Sequence, residues 1–570
     1  MVRCWADWIY IGCSNLFQLF NPPMENSGML SMFKPTLKAV ALATMVLTGA
    51  AAFAQNYGKP QVVVAPSAFK GPNGLTIDSQ GRLLVGSVVG ASITQVDIKT
   101  GKGTTLIASP EGQADDIAIG PKGEMAYTSF LQGIVRIRDN DSAPIRILAK
   151  DLPGINSLAF DQKSGKLYAS QVFLGDALWE IDVSGVAAPR LIKKDMGGLN
   201  GFEVGADGWI MGPLWFKGQI VKINPADGEM KVVNSEFKTP AAANYDSKGT
   251  IWAIDTKLGE LYRINPADGK RTKVAQLSTG MDNLALDKND NIFISNMVDN
   301  GVQQVDAKSG KVTQITKGGM SAPGGIKLSE DGKTLYVAHL FGFRAVDTAT
   351  GALTDIGRMQ GDVLEYPFAV GLSKDNYILS SWFTGTVQVM NRKDKSTKAM
   401  AHGLGAPMDA VEMPDGSVLV LELAAGSVTQ LSGKDLHDKK QVVTGLQGPT
   451  QMIIGKDGAL YITELAGRLI RVNPADWSQK TIAEGLAAPE GLAQTPAGKF
   501  IVAETKARTL TEVDPANGAK RVIASDLPIG FEGGPGLPPP YLTTGVAVAA
   551  DGTVYFSADR DSGIYKIKPN

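Results

Sequence analysis

Oxygen-bearing side chains recur along this 570-residue sequence at a spacing of about 41 residues. In the first half of the chain they occupy two positions of a repeat: Asn73, Asp115, Asn156, Asn200 and Asp282 at one, and Asp255 at the other. Carboxylate and amide oxygens are hard ligands that suit Ca²⁺ or Mg²⁺ best, with Zn²⁺ and Mn²⁺ as further candidates. The pattern predicts a divalent cation site. The alternative is that these residues only tie turns and solvate a channel.

In the second half of the chain the same positions carry potential acid and base groups: Glu422, Glu464, Glu504, Glu490 and His339. Carboxylates held close together raise one another's pKa or demand a cation, and either outcome provides an acid or base for catalysis. The alternative is that the glutamates point outward or pair with cations such as Arg468 and Lys506. A lone histidine such as His339 also has a purely structural interpretation.

Apolar residues at the remaining positions of this second set predict a small-molecule pocket. Phe368, Trp382 and Met408 would form its wall. A Gly- and Pro-rich insertion at 527–541 joins a fourth strand to the next first strand, so we expect it on the same face as the pocket. Long loops in such places often cover a site, and the alternative is a plain spacer.

The repeat that must position these residues is clearest at 448–485, GPTQMIIGKDGALYITELAGRLIRVNPADWSQKTIAEG. Four short β-rich runs are separated by Gly, Asp and Pro turn signals, which is typical of a four-stranded antiparallel meander. Twelve such units follow one another from residue 71 to the end of the chain. This period indicates the blades of a β-propeller.

A single four-stranded unit cannot bury both of its faces, whereas units stacked around an axis can. Rings of this kind usually hold four to eight blades, so the sequence predicts an all-β tandem pair of six-bladed β-propellers. We assign 55–308 to the first and 309–570 to the second. We expect 61–65 to complete the blade whose third strand ends at Asp306, and 312–316 to complete the blade ending at Lys568.

The units resemble those of the SMP-30/gluconolactonase/LRE-like and NHL-repeat six-bladed propellers. The motifs that carry the resemblance are Pro72-Asn73-Gly74-Leu75, Pro489-Glu490-Gly491-Leu492, Asp457-Gly458-Ala459-Leu460-Tyr461 and Asp331-Gly332-Lys333-Thr334-Leu335-Tyr336-Val337. The blade around Glu464 is also similar to those of virginiamycin B lyase-like proteins. The resemblance covers the whole chain after its first 54 residues, and its motifs mostly specify the fold.

The resemblance implies a metal-dependent lactonase that opens a small ester or lactone. Asn73 and Asp115 match the consecutive Asn and Asp ligands of the resembled lactonases, while the family's glutamate ligand has no clear counterpart. Two alternatives from other classes remain: a non-catalytic propeller that binds a ligand or protein in the periplasm, and a lyase in which a rim glutamate or His339 abstracts a proton.

Charge and cysteine content exclude several functions. Basic and acidic residues nearly balance, at 56 Lys and Arg against 57 Asp and Glu, and no basic run offers a nucleic-acid partner a positive stripe. The two cysteines, Cys4 and Cys13, exclude a cysteine-ligated zinc site, a disulfide framework and a thiol nucleophile in the body of the protein. We expect a monomer that acts on a small molecule.

The first 54 residues are predicted to be an N-terminal extension followed by a signal peptide. From Met32 onward, Lys34 and Lys38 precede an apolar stretch at 39–49, and small residues lie just before Gln55. We expect translation to start near Met32 and cleavage to occur before Gln55, which gives a periplasmic or secreted protein. The alternative, a transmembrane anchor, would need a longer apolar stretch.

Overall fold

The computed structural model describes residues 57–316, 318–533 and 540–570. Their strands follow the repeat because each run of alternating or wholly apolar residues ends at a Gly-, Asp- or Pro-containing turn. The strands form twelve four-stranded sheets, in which every neighbouring pair is antiparallel, and we call these sheets blades 1 to 12. This confirms the predicted all-β architecture of four-stranded blades. The signal-peptide prediction lies outside the described residues.

The first six blades follow one another along the chain. Their strands are β2 (Leu75–Ile77), β3 (Leu83–Ser87), β4 (Ser92–Val96) and β5 (Gly103–Ile107) in blade 1; β6 (Ile117–Ile119), β7 (Met125–Ser129), β8 (Ile134–Arg138) and β9 (Arg146–Ala149) in blade 2; β10 (Ile155–Phe160), β11 (Leu167–Gln171), β12 (Ala177–Ile181) and β13 (Arg190–Lys194) in blade 3; β14 (Glu203–Val204), β15 (Ile210–Leu214), β16 (Gln219–Ile223) and β17 (Met230–Asn234) in blade 4; β18 (Pro240–Tyr245), β19 (Ile251–Asp255), β20 (Glu260–Ile264) and β21 (Arg271–Gln276) in blade 5; and β22 (Met281–Leu286), β23 (Ile292–Asn296), β24 (Gly301–Val305) and β25 (Val312–Gln314) in blade 6.

The second six blades use the rest of the chain and one strand from its start. Their strands are β26 (Pro323–Leu328), β27 (Thr334–His339), β28 (Gly342–Asp347) and β29 (Leu353–Arg358) in blade 7; β30 (Ala369–Leu372), β31 (Asn376–Ser381), β32 (Thr386–Asn391) and β33 (Thr397–Ala401) in blade 8; β34 (Pro407–Glu412), β35 (Val418–Glu422), β36 (Ser427–Ser432) and β37 (Asp438–Val443) in blade 9, with a 3₁₀ turn at Lys434–Leu436; β38 (Pro449–Ile454), β39 (Leu460–Glu464), β40 (Arg468–Val472) and β41 (Gln479–Ala483) in blade 10; β42 (Pro489–Gln494), β43 (Phe500–Glu504), β44 (Thr509–Val513) and β45 (Lys520–Ala524) in blade 11; and β46 (Val546–Val548), β47 (Val554–Ala558), β48 (Gly563–Ile567) and β1 (Gln61–Val64) in blade 12.

Contacts between the innermost strands group the blades into two closed rings. In the first ring, β2 of blade 1 lies against β22 of blade 6. In the second ring, β26 of blade 7 lies against β46 and β47 of blade 12, and Ser557 Oγ donates a 2.6 Å hydrogen bond to Gly324 O across this junction. Stacking around an axis buries both faces of each blade without leaving a long open edge.

The fourth strand of the last blade in each ring differs from the one predicted from the sequence. β25 pairs with β24 in blade 6, and β1 pairs with β48 in blade 12, so the expected exchange of these two strands is wrong. The turn after Asp306 explains the outcome, because Gly310 N donates to Asp306 O at 2.9 Å and closes a tight hairpin. Such a local hairpin costs far less loop entropy than recruiting a strand from the start of the chain.

Two crossing segments therefore connect the rings, 65–74 and 315–322. Asn300 joins them, because its Nδ2 donates to both Phe69 O and Met320 O at 2.9 Å. Apolar side chains of the first ring, including Val89 and Met297, pack in one cluster with side chains of the second, including Phe341. Both rings thus form one continuous core where they meet.

Ion pairs reinforce this contact. Arg344 and Arg358 of blade 7 both bind Asp299 of blade 6, at 2.7 and 2.8 Å, and Arg358 Nη2 donates to Thr279 O at 2.9 Å. Burial alone would raise the pKa of the Asp299 carboxyl. The two guanidinium groups outweigh burial, so the pKa is lower than usual. The second ring therefore lies over the blade 1 and blade 6 side of the first. Within the described ranges, no helix is long and apolar enough to cross a membrane.

Candidate active site

The inner strands of five blades begin near a polar side chain at the mouth of the first ring, while blade 5 has Ala241 at this position. Asp115 N donates to Thr128 O at 2.9 Å within blade 2, and Gly74 N of blade 1 donates to Asp115 O at 2.6 Å. A Cβ at Gly74 would lie 2.4 Å from that same oxygen, so only glycine allows the two strands to approach this closely. Adjacent blades are thereby locked together at the level of the polar side chains.

Five of the six predicted metal ligands meet at this mouth. Asn156 Nδ2 donates to Asp115 Oδ2 at 2.6 Å, and Asn73 Nδ2 lies 3.4 Å from Asp282 Oδ2. Asn200 is linked to Asn156 through Ser157, whose Oγ lies 2.9 Å from Asn200 Oδ1 and 2.8 Å from Asn156 Oδ1. These residues form two hydrogen-bonded sets, Asn73 with Asp282 and Asp115 with Asn156 and Asn200, and the first set joins residues 209 positions apart.

Two carboxyl groups of this cluster influence each other's protonation. Burial raises the pKa of Asp115 well above its usual range, and the charges of Asp282 and Asp116 add to that rise. Burial also raises the pKa of Asp282 to about 7. Both shifts favour the protonated form over the form found in exposed aspartates.

The amide groups in the mouth are turned toward these carboxyls. Asn73 Oδ1 accepts the Val88 N–H at 3.0 Å, which directs its NH₂ group to Asp282. Asn156 likewise directs its NH₂ group to Asp115. An NH₂ group opposes a cation bound to the same carboxylate, so this arrangement does not fit the cage of amide oxygens that the sequence predicts. Among the described residues, no group of three or more His, Cys, Asp or Glu side chains could hold a metal ion.

The side chains of three further residues in the cluster were not identified from the sequence. Asp116 accepts hydrogen bonds from Ile117 N at 2.9 Å, Leu158 N at 3.2 Å and Asn283 Nδ2 at 3.1 Å, and burial raises its pKa to about 7. Their positions could have indicated this, because Asp116, Ser157 and Asn283 each directly follow a predicted metal ligand. Asp116 holds blades 2, 3 and 6 together and leaves Asp115 and Asp282 to face the mouth.

A tyrosine from the second ring belongs to the same site. Burial raises the pKa of Tyr366 to about 12, and the charges of Asp282, Glu365 and Asp115 contribute to that rise. The Tyr366 ring packs edge-on against Phe341 at 6.0 Å and Phe383 at 5.3 Å. Tyr366 remains protonated at neutral pH, and its phenol lies near enough to Asp282 and Asp115 for their charges to raise its pKa.

Asp255, the sixth predicted ligand, does not join the cluster. Its Oδ2 accepts Lys238 N at 2.7 Å, and its Oδ1 accepts Leu258 N at 3.2 Å. Asn296, at the equivalent position of blade 6, accepts Val298 N at 3.0 Å in the same manner. Side chains at the end of the second strand thus tie loops together, which is the alternative raised from the sequence for these residues.

The three glutamates of the second ring occupy that same loop-tying position. Glu422 accepts Gly405 N, Glu464 accepts Gln447 N and Glu504 accepts Ala487 N, each 17 residues earlier in the chain. A second donor satisfies each remaining oxygen, from Thr429, Arg468 and Thr511 respectively. For Glu464 the donor is the Arg468 guanidinium at 2.6 Å, as the alternative interpretation anticipated.

Glu490 and His339 lie inside the protein. Glu490 accepts Thr544 N at 2.8 Å and the Thr505 hydroxyl at 3.2 Å, and burial together with the charge of Asp559 raises its pKa well above the usual range. His339 is fully buried. Burial, with smaller contributions from Arg344 and Arg358, lowers its pKa well below the usual range, so it is neutral at physiological pH.

The hub of the second ring is nearly filled. Met408, Thr450, Glu490 and Thr544 line a cavity of about 10 Å³, which is room for about one water molecule. Phe368 and Trp382, expected in a pocket wall, instead pack against each other with ring centroids 5.1 Å apart at the contact between the rings.

The described parts of the insertion also lie at that contact. Phe531 N donates a 2.8 Å hydrogen bond to the Asp559 carboxylate. Lys70 Nζ lies over the Phe531 ring, 4.6 Å from its centroid, in a cation–π contact. Tyr541 packs edge-on against Trp382 at 6.4 Å. Residues 534–539 of the insertion lie outside the described residues.

Comparison with known proteins finds architectural likeness only. No family model and no curated protein matches the chain. Three solved structures are similar to it: streptogramin B lyase (14% identity, 58% of this chain and 93% of that chain, TM-score 0.25); a GH74 xyloglucanase from Xanthomonas campestris (12%, 90% and 100%, 0.48); and the extracellular domain of a protein from B. thetaiotaomicron described as a one component system (13%, 89% and 84%, 0.30). These likenesses say nothing of the reaction, and the narrower resemblance to SMP-30/gluconolactonase and NHL-repeat proteins stays a prediction.

Proposed function

We propose that the protein is a lactonase-type hydrolase whose acid–base pair is Asp115 and Asp282 in the mouth of the first ring. The observation that carries this proposal is the placement of two carboxyls in one mouth, Asp115 hydrogen-bonded to Asn156 at 2.6 Å and Asp282 lying 3.4 Å from Asn73 Nδ2, with the pKa of each raised by burial. A pair that shares one proton supplies a general acid and a general base at the same pH.

The chemistry divides naturally between the two carboxyls. Ionised Asp282 accepts a proton from water as the water oxygen attacks the carbonyl carbon of the ester. Protonated Asp115 then donates its proton to the leaving alkoxide as the ring C–O bond breaks, which yields a hydroxy acid. The phenol of Tyr366 donates a hydrogen bond to the carbonyl oxygen as negative charge develops there.

A divalent cation is the competing form of the same proposal. It would take Asp115 and Asp282 as its charged ligands and would polarise the carbonyl. The direction of the Asn73 and Asn156 NH₂ groups argues against it, so no step above depends on it. Treatment with a chelator separates the two forms, because hydrolysis by a carboxyl pair alone survives removal of Ca²⁺ and Mg²⁺.

A panel of lactones and aryl esters assayed between pH 5 and 8 tests the proposal. We expect hydrolysis by the purified protein, a loss of at least about 100-fold in kcat/KM for Asp115→Asn and Asp282→Asn, and no such loss for the loop-tying control Asp255→Asn. Loss of activity on chelation would favour the cation. If no substrate in the panel is hydrolysed, the non-catalytic binding propeller replaces the hydrolase.

We further propose that the protein acts outside the cytoplasm, on the basis of its signal-like sequence before Gln55. The mass of the protein isolated from its native host tests this directly. We expect an N-terminus at Gln55, and a mass that includes Met1 would contradict the export proposal.

A further inference from the structure

Four aromatic side chains flank the mouth of the first ring: Phe130, Phe173, Trp215 and Phe216, here called the aromatic shelf. Phe173 lies at its centre, with ring centroids 6.3 Å from Phe130, 5.4 Å from Trp215 and 5.8 Å from Phe216, all edge to face. Phe173 has φ 69°, a left-handed conformation that is costly for a bulky residue. The backbone is thus held in an unfavourable conformation at the residue that joins the shelf.

Strand register places the shelf beside the carboxyl pair. Each aromatic residue follows the end of a second strand, and that end lies next to the start of the inner strand in the same blade. Trp215 N donates to Gly198 O at 2.8 Å and Phe216 N to Gly197 O at 3.0 Å, just before Asn200 of the polar cluster. A Cβ at Gly198 would lie 2.8 Å from the Phe216 ring, so glycine lets that ring lie over the backbone.

Among the described residues, the second ring packs against the side of the first ring formed by blades 1 and 6, through Val89, Met297 and Asp299. The shelf spans blades 2 to 4, and Phe216 is 45% exposed. Residues at the corresponding positions of the second ring, such as Phe341 and Trp382, are packed into the contact between the rings. The shelf therefore lies on the side of the mouth formed by blades 2 to 4, where Phe216 is exposed.

We propose that the shelf binds the apolar part, an alkyl chain or aryl group, of a substrate whose ester carbonyl meets Asp115 and Asp282. This inference rests on the proposed hydrolase function and specifies its substrate class: long-chain or aryl lactones rather than small polar ones. Aromatic side chains provide a large apolar contact area at low conformational cost. Each further methylene buried on the shelf strengthens binding by about threefold to fourfold.

Calorimetric binding of unreactive lactams to the full chain tests the shelf without requiring catalysis. The probes are γ-butyrolactam, which lacks a side chain, and γ-dodecalactam, which carries an eight-carbon one. We expect γ-dodecalactam to bind at least about tenfold more tightly. Phe216→Ala should remove about tenfold of that difference, because an exposed ring can be deleted without disturbing the core. The matched control is Val232→Ala, which removes an apolar side chain that is 53% exposed on the outermost strand of the same blade.

Equal affinity for the two lactams, or the same effect of Phe216→Ala and Val232→Ala, would overturn the shelf. The two proposals fail in different ways. Binding that depends on chain length, with no lactone hydrolysed, retains the shelf and overturns the hydrolase. Hydrolysis with kcat/KM independent of chain length retains the hydrolase and overturns the shelf.

Discussion

The hubs of the two rings use the same strand position for opposite purposes. In the first ring the start of the inner strand carries Asn73, Asp115, Asn156 and Asp282, whose side chains form hydrogen-bonded amide–carboxyl pairs. In the second ring that position carries Phe368, Met408, Thr450 and the buried Glu490, and the last three line a cavity of about 10 Å³. One residue per blade therefore decides whether a propeller hub is a site or a core, while the repeat itself is unchanged.

The rings also differ in how they close, and removing β1 gives the largest expected effect. Each blade of the first ring has four consecutive strands, whereas blade 12 depends on Gln61–Val64 from the other end of the chain. A chain that starts at residue 67 exposes the edge of β48 that pairs with β1 and leaves blade 12 with three strands, so the second ring should lose most of the about 5–15 kcal/mol typical of a domain. Limited proteolysis should degrade 323–570 and leave a stable fragment that contains 71–316. A chain that starts at residue 57 is the control, and equal protection of both rings would contradict the prediction.

Truncating the filled hub gives the next largest effect. Met408 is 1% exposed and lines the small cavity beside Glu490. Met408→Ala should lower the free energy of unfolding by about 2–5 kcal/mol, because the cavity cannot collapse around a closed ring. Chemical denaturation measures the loss, and hydrolysis by the first ring should be unchanged at temperatures where the variant is folded. A loss below about 1 kcal/mol would show that the second hub is loosely packed.

The polar hub should make stability depend on pH. The pKa of Asp282 is raised to about 7 in the folded protein and is about 3.9 when unfolded. The folded state therefore binds more protons between these values, and stability falls as the pH rises from about 4 to about 7. Asp282→Asn removes the contribution of Asp282 while Asp115 and Asp116 keep theirs, so the slope should decrease and the protein should be stabilised by about 1–3 kcal/mol at pH 8.

Denaturation of the parent and of Asp282→Asn at several pH values measures this effect. An unchanged slope in Asp282→Asn would contradict the assignment of the raised pKa. Asn156→Ala sharpens the comparison, because loss of its hydrogen bond to Asp115 removes an interaction that lowers the pKa of Asp115. Its activity profile should therefore shift to higher pH.

The loop-tying glutamates should give the smallest effect. Glu422→Gln keeps an acceptor for Thr429 or Gly405 but loses the charge, so we expect a loss of about 1 kcal/mol in stability. Hydrolysis should stay within about twofold of the parent, since Glu422 lies in the other ring from the carboxyl pair. A tenfold loss of kcat/KM with normal stability would instead support the catalytic role predicted from the sequence for this set of glutamates.

The sequence predicted the blades because each one repeats the same local signals, alternating apolar runs and glycine turns such as Gly458 at φ 74°. It also selected Asn73, Asp115, Asn156, Asn200 and Asp282, because a closed ring brings equivalent positions together. Tyr366 could not be found this way, since its place in the site depends on how two rings pack. The glutamates show a second limit: the repeat fixes a position in the blade, while the direction of the side chain depends on nearby loop N–H groups.

The insertion of the whole first ring between β1 and β26 has a consequence for synthesis. β1 leaves the ribosome early, and its partner β48 follows roughly 500 residues later, which takes roughly 25–100 s of translation. During that interval β1 has no partner strand for its backbone hydrogen bonds, while the first ring can already fold. Any chain released before the last codons would display that unmet edge, which gives quality-control proteases a simple way to recognise an unfinished product.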